Sequence, residues 1–483
     1  MNNQNQNKIL LASILSLVFI ATGCMVGPDF QKPQLKPDNS WSESVANNQI
    51  DSSTQASTEN WWKLFNDTTL NTLIEKAGKD NLSLQVAGLR ILEAQALRGI
   101  AKGYQLPQMQ QINASYAKRN NSEKDANQMP VSEYSDYRAS FDVAWELDVW
   151  GKYRRSIQAA DAQLGTTIMT YNDAWVSMTS EIALAYTELC AFDKRIELLE
   201  KNIEIHAGTL KLVQAKYDAG TSTELDLQQA KSVLASVKSS LPMLQSGRYG
   251  TISRLCVLLS VAPGKLDELL AQSKAIPQVP TKISVGMPAD LLRRRADIRI
   301  AEHNAIAQCA RIGIEKTELL PQFYLTGSIG YSAEKAKDLF SDNSETLGFG
   351  PSFKWNVLNY GRITNRVKAA DIRYQQALTA YDLTVIGAMN EVEISIFKYL
   401  QSQLQVKSLA ESEAASQRAL DLALQQYNHG LVSFDRVLDS QAFLVQQQDK
   451  LTTARRDVVQ NLIVLYKSLG GGWDMIEKTN SEK

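Results

Sequence analysis

Two stretches decide the fold: FDVAWELDVWGKYRRSIQAA, residues 141–160, and PSFKWNVLNYGRITNRVKAA, residues 351–370. Trp145 lines up with Trp355, Gly151 with Gly361, and Ala159-Ala160 with Ala369-Ala370, each 210 positions on. In the first stretch Phe141, Val143, Trp145, Leu147 and Val149 alternate with Asp142, Ala144, Glu146 and Asp148. That period of two marks a strand with unlike faces. At Gly151 the period turns helical, and no proline interrupts the chain from Lys152 to about Tyr217. In the second stretch Leu347, Phe349, Phe353, Trp355 and Val357 alternate with Gly348, Gly350, Ser352, Lys354 and Asn356, and Gly361 opens a proline-free run to Tyr427. One strand-into-helix junction is written twice.

The repeat extends in both directions. Leu106-Pro107-Gln108 ends a helical pattern over residues 68–104, and Leu320-Pro321-Gln322 ends another near Arg294 to Lys316. Each is followed by a strand candidate, with Ile112, Ala114 and Tyr116 on one face of the first and Phe323, Leu325, Ile329 and Tyr331 on one face of the second. Tyr217-Asp218-Ala219-Gly220 matches Tyr427-Asn428-His429-Gly430, again 210 on. The reading is a first repeat over residues 61–285, with strands 108–118 and 137–150, a long hairpin 151–247 and a segment 248–285. A second repeat covers residues 286–470, with strands 322–333 and 346–360 and a hairpin 361–467, followed by a tail over 471–483.

A helix of about 67 residues is ~100 Å long and needs a partner along its length. Ile196, Leu199, Ile203, His206, Leu210, Val213 and Tyr217 give a seam at 3,4 spacing. Leu227, Ala230, Leu234, Val237, Leu241 and Leu244 answer it after the turn at Gly220, as in an antiparallel coiled-coil hairpin. In the second hairpin Ser440 and Gln447 make the seam more polar, and Pro242 is expected to kink or end the first returning helix.

The balance of 51 basic and 52 acidic residues argues against a nucleic-acid partner. Residues 1–23 read as a signal peptide: Lys8, an apolar run from Ile9 to Ala21 too short to span a bilayer, then Ala21-Thr22-Gly23-Cys24. Small residues before Cys24 suit lipoprotein processing; ordinary cleavage with a spare thiol is the alternative. Residues 24–60, polar and rich in Pro and Ser, read as a tether. Cys190, Cys256 and Cys309 are an odd set that reads as buried small hydrophobes, without a disulfide frame or metal site. The three histidines, with no GxSxG, HExxH or phosphate loop, do not point to an enzyme. Arg293-Arg294-Arg295 reads as a salt-bridged helix start, and Gly470 to Gly472 does not suit a nucleotide.

Past residue 24 no apolar run is long enough for a membrane helix. Strands of about ten residues can cross a bilayer only in a closed barrel. Four strands per chain are too few, since the smallest membrane barrels have about eight. Two, three or four chains would give eight, twelve or sixteen. The apolar faces would meet lipid, and Asp142, Glu146, Asp148 and Lys354 would line water; a soluble sandwich is the alternative.

Cys24 with GPDFQKP, WWKLFNDTTLNTLI, FDVAWELDVWGK, LLRRRADIRIAE, WNVLNYGR, NEVE and LYKSLGGGW together resemble the outer membrane factor (TolC) family, in its NodT-type lipoprotein branch. The likeness covers essentially the whole mature chain, with Ala296 standing where the family usually has proline. It implies a mixed fold: a twelve-stranded outer-membrane barrel made by a homotrimer, continuous with a long α-helical periplasmic barrel. It also implies a passive efflux duct for small toxic solutes, drugs or metal ions, served by a periplasmic adaptor and an inner-membrane transporter of the RND type in a Gram-negative cell. The covalent lipid on Cys24 would be a diacylglycerol thioether and an N-acyl chain, with no other cofactor and no metal. By the same resemblance the adaptor docks on tips at Tyr217, Gly220, Tyr427 and Gly430, and Phe434, Asp435, Arg436 and Asp439 are candidates for the aperture. A protein-secretion outlet and a non-conducting lipid-anchored scaffold are the competing functions.

Overall fold

The computed structural model describes residues 25–33, 50–51, 60–120, 133–271, 275–280, 283–285 and 294–473; Cys24 lies outside the described residues. The main elements are α1 (Thr68–Asp80), α2 (Leu82–Gly103), β1 (Met109–Asn120), β2 (Glu133–Glu146), α3 (Lys152–Asp218), α4 (Glu224–Leu258), α5 (Ala296–Thr317), β3 (Gln322–Ala333), β4 (Glu345–Lys354), α6 (Arg362–Asn428) and α7 (Phe434–Ser468). Both α3 and α6 run for 67 residues, and both α4 and α7 for 35, so the repeat seen in sequence is a repeat of elements. Among the described residues no helix is long and apolar enough to cross a membrane.

The chain divides into two units. The first holds residues 1–34, 89–168 and 300–382, and is built on a four-stranded antiparallel sheet ordered β1-β2-β3-β4. Register assigns every side chain to a face. Ile112 pairs with Phe141, Phe141 with Ile329 and Ile329 with Leu347, giving an apolar face whose members are exposed, Leu347 at 74% and Phe349 at 83%. One residue along, Gln111 pairs with Asp142, Asp142 with Ser328 and Ser328 with Gly348, and this face is polar. Asp142 there accepts hydrogen bonds from Ser328 Oγ (2.5 Å), Asn113 Nδ2 (2.6 Å) and Ser140 Oγ (3.1 Å).

Two strand ends differ from the alternation. β2 ends at Glu146, and β4 at Lys354, four and six residues before the ends of the expected segments. The apolar-polar period runs on, but the backbone turns toward the helices. Val149 N donates to Leu147 O and Val357 N to Trp355 O, bonds within one chain segment that a ladder does not make. Asp148, expected to line water, instead caps α3: it accepts from Tyr153 N (2.9 Å) and from Arg154 N (3.0 Å) and Nε (3.1 Å). A carboxylate at a helix start meets the unsatisfied amides there. Glu146 bonds to Lys152 Nζ (3.1 Å) and Tyr153 Oη (2.9 Å), and Lys152 also reaches Glu318 (3.3 Å).

The second unit holds residues 35–88, 169–299 and 383–483. Its core gathers Trp61, Leu73, Ile182, Leu189, Leu255, Ile396 and Leu462. The helical pattern over 68–104 is two helices, broken at Asn81. This side chain is 6% exposed, accepts from Leu84 N (2.8 Å) and donates to Leu258 O (2.6 Å), so it ends α1, starts α2 and ties both to α4. Pro242 does not end α4, which runs through it. The C-terminal Gly-rich turn is a clamp. Trp175 Nε1 donates to Gly472 O (2.9 Å), Trp473 Nε1 to Arg294 O, and Arg295 Nη1 to Ser468 O (2.7 Å). Arg295 is also paired with Asp297 (2.7 Å) and Glu391 (2.7 Å), a salt-bridged helix start as its sequence suggests. Cys190, Cys256 and Cys309 are buried.

The seam on α3 keeps Leu199, His206 and Val213 of the one read in sequence but is widened to one side by Asn202 and Thr209. Leu199, Asn202, His206, Thr209 and Val213 are its buried members, Ile203 and Leu210 are half-buried, and Tyr217 is 39% exposed. The cause is a second partner. Val213, Leu227 and Ala230 of the first hairpin share one apolar cluster with Leu420, Tyr427, Phe434 and Val437 of the second. An apolar count along one hairpin cannot foresee a groove shared by two.

Candidate functional site

The hairpin tips are two copies of one turn. Thr221 N donates to Lys216 O (2.8 Å) and Gly220 N to Tyr217 O (2.9 Å); Leu431 N donates to Gln426 O (2.9 Å) and Gly430 N to Tyr427 O (3.1 Å). Both are Schellman closures, which need a left-handed residue, and Gly220 and Gly430 supply it at φ 73° and 72°. The returning helices then differ. In the first, Thr223 accepts from Asp226 N and Asp226 accepts from Thr223 N, a complete capping box. Burial opposes ionisation of Asp226, but the Thr223 amide and the Ser222 and Thr223 hydroxyls outweigh it and hold its carboxyl below the usual range. In the second, Ser433 makes no side-chain cap bond, and Arg436 stands where Asp226 does, 210 positions on. A cation in the first turn of a helix is unfavourable. The second tip is the weaker built of the two.

The aperture candidates do not behave alike. Asp435, Arg436 and Asp439 are exposed, with Asp435 Oδ1 accepting from Gln229 Nε2 (3.5 Å). Phe434 is 2% exposed and packs on Tyr427 at 5.4 Å between ring centroids, so it belongs to the core of the tip and not to an exposed ring. Of the docking candidates Tyr217, Gly220 and Gly430 are exposed, while Tyr427 is 6% exposed and buried in the shared cluster.

Sequence reasoning missed Lys216. Its Nζ donates to Tyr427 O (2.7 Å) and lies 4.3 Å from the centroid of the Tyr427 ring. A lysine on the first hairpin thus caps the carbonyl end of α6 on the second, where the helix dipole favours a cation. Replacing Lys216 by Ala is expected to remove about 1–2 kcal/mol, a charge-assisted bond partly screened by water. Amide exchange over residues 426–433 should accelerate roughly 5- to 30-fold. Unchanged protection would show that Lys216 does not join the tips.

The N-terminal strap, residues 25–33, is the second feature of note. Val26 N donates to Trp150 O (3.0 Å), Lys32 pairs with Glu302 (2.9 Å), and Cys309 Sγ donates to Pro28 O (3.4 Å). Arg155, only 3% exposed, donates to Val26 O (3.1 Å), Gly27 O (3.0 Å) and Gln158 Oε1 (2.9 Å) and pairs with Asp29 (3.0 Å). Backbones meet directly here: a Cβ at Gly27 would lie 2.5 Å from Gly313 Cα. Met25 seats on Gly151, whose own Cβ would be 2.7 Å from Met25 Cγ. The residue after Cys24 is therefore fixed at the first strand-helix junction. Among the described residues nothing straps the equivalent junction of the second repeat, Asn365 replaces Arg155, and Tyr360 is 92% exposed. An arginine at this junction in one repeat, against Asn365 in the other, was the available signal for Arg155. Lys216 offered none, because its partners are backbone carbonyls.

Comparison with known proteins bears on these features. The model of the family described as Outer membrane efflux protein matches residues 73–259 and 287–471. Nodulation protein T of Rhizobium leguminosarum bv. trifolii is 26% identical over 459 residues, 95% of this chain and 97% of the relative. The cation efflux system protein CusC of Escherichia coli O6:H1 is 27% identical over 457 residues, 94% of this chain and 96% of the relative. The solved structure of the outer-membrane channel OprN superposes with a TM-score of 0.87 at 29% identity, covering 93% of this chain and 100% of that one. That of the Campylobacter jejuni CmeC outer membrane channel gives 0.85 at 22% identity, covering 95% and 98%, a likeness of fold.

Proposed function

The chain belongs to the outer membrane efflux protein family, and from that premise we propose that it is the outer-membrane channel of a tripartite efflux system, a passive duct for small toxic solutes. The observation that carries this reading is the sheet with its apolar face outward and exposed and its other face polar. Such a sheet is stable in lipid only when closed, and four strands close only with copies of themselves. Three chains give twelve strands, which leave a water-filled lumen; two give eight, which side chains fill. No chemistry is required of the walls. Solute choice and energy come from an inner-membrane transporter, here taken to be of the RND type, reached through an adaptor that grips the tips. The names of the relatives point to solvents and cations among the possible cargoes.

The strap supports a lipid on Cys24. With Met25 and Val26 held at the Trp150-Gly151 junction, acyl chains on the preceding residue would enter the membrane beside the barrel wall. Trp145, Trp150, Trp355 and Tyr360, near the two junctions, suit the interface where aromatic residues gather. Labelled palmitate should enter the wild-type chain and not the Cys24→Ala variant.

The test of the channel reading is the purified full-length protein in planar bilayers. Discrete conductance steps from a three-chain particle are expected, with longer openings when Asp435 and Arg436 are both replaced by Ala. A water-soluble single chain that never conducts would overturn it.

A further inference from the structure

A band of polar side chains is buried between the two hairpins. On α3 the buried stripe Leu199, Asn202, His206, Thr209 and Val213 is polar at its three central positions. These face α7. Asn202 Nδ2 donates to Gln448 Oε1 (3.0 Å), Gln441 Nε2 donates to Thr209 Oγ1 (2.8 Å), and the buried Gln441 Oε1 is left without a hydrogen-bond partner. His206 is 4% exposed and Gln441 1%. The position equivalent to His206 in the second repeat is Ser416, so the imidazole belongs to the first hairpin alone. Polar groups buried in a helical seam cost stability unless each is satisfied. A seam meant only to hold would be filled by Leu and Val.

The surroundings of His206 are neutral. Glu204 and Lys211 on α3, Lys231 and Lys238 on α4, Arg418 on α6, and Arg436 and Asp439 on α7 stand at exposed positions, and Glu413 on α6 at a half-buried one. None of them contributes to the balance that sets the imidazole, which is burial offset in part by the Gln441 side chain. Among the described residues no carboxylate enters that balance. His429 is exposed at the second tip and His303 half-buried on α5.

We propose that His206 makes the seam between α3 and α7 a proton-sensitive latch: with a neutral imidazole the two hairpins hold together, and acidification puts an unpaired charge into the seam and frees the second hairpin from the first. Burial holds the imidazole below its usual value, with Gln441 as a partial offset. A state in which His206 meets water therefore binds the proton more tightly. The seam's stability is complete above the free histidine value of about 6.5 and is lost as pH falls through that value toward the lower one of the closed seam. The proposal rests on the channel reading for its effect on flow, but not for the motion of the seam.

Two measurements on the full-length protein separate these. Spin labels at Lys201→Cys and Lys450→Cys, exposed positions flanking the Asn202–Gln448 contact, read the seam directly. The label distance should lengthen between about pH 7.5 and about pH 5, which bracket free histidine. In bilayers the open probability should rise over the same interval, in step with the label distance. His206→Gln should abolish both changes, and His206→Lys should give the acid form at about pH 7.5. His429→Gln should respond like the wild type. If His206→Gln keeps the wild-type change in distance, or His206→Lys leaves the seam shut, the latch is wrong. If the distance responds as expected and no variant conducts at any pH, the latch stands and the channel reading fails.

Discussion

Replacing Trp61 by Ala is expected to destabilise the protein by about 3–5 kcal/mol, the range for deleting a large aromatic from a core. Trp61 is fully buried, stacks on Tyr466 at 5.7 Å and 12°, and meets Trp62 and Phe65 edge-on. Gly471 sits against it so closely that a Cβ there would lie 2.9 Å from Trp61 Cδ1. One ring thus holds the chain's entry into the second unit against its C-terminal turn. Burial also pushes the Tyr466 hydroxyl up to about 12, so that phenol stays neutral under any working condition. The loss should appear as a lowered melting temperature and a heat-labile oligomer, with Trp61→Phe much milder. A Trp61→Ala protein that melts with the wild type would show that this aromatic cluster does not hold the core.

The second large effect falls on the strap. Arg155→Ala removes donors to two backbone carbonyls, each charge-assisted bond contributing about 1.5–3 kcal/mol. The pair with Asp29 adds little, since that carboxylate is 83% exposed. A total of about 3 kcal/mol is roughly a hundredfold in the open fraction of the strap. The Val26 amide, bonded to Trp150 O, should exchange faster by that factor, and Arg155→Lys should fall between. Wild-type protection of Val26 in the Ala variant would mean that Gly27 and Gly313 hold the strap unaided.

Much of this architecture was legible in the sequence because it rests on local periodicity. The change of period at Gly151 and Gly361 placed both junctions, and the YDAG and YNHG matches placed both turns. What escaped depended on distant partners. Asn81 breaks a helical pattern because of Leu258, 177 residues away. Asp148 continues a strand alternation but is drawn to the start of α3 by amides five and six residues on. Phe434 looked free beside two charges, yet Tyr427 covers it. The seam took in Asn202 and Thr209 beside the expected Leu199, His206 and Val213 because α7, not only α4, fills the groove beside α3. The gating and docking residues were named from family likeness, and the exposed Asp435, Arg436 and Asp439, with Tyr217, Gly220 and Gly430 at the turns, are the part of that list that side-chain placement leaves free to act.

The strap also dictates an order of biogenesis. Residues 25–33 are among the first to leave the ribosome, yet their seat is made by Trp150 and Arg155 and by Cys309 and Gly313, almost three hundred residues later in synthesis. Contacts so far apart in sequence form late. The end that is exported first therefore cannot settle until the chain has been delivered as far as Gly313, and until then it stays available to whatever escorts the nascent chain across the periplasm.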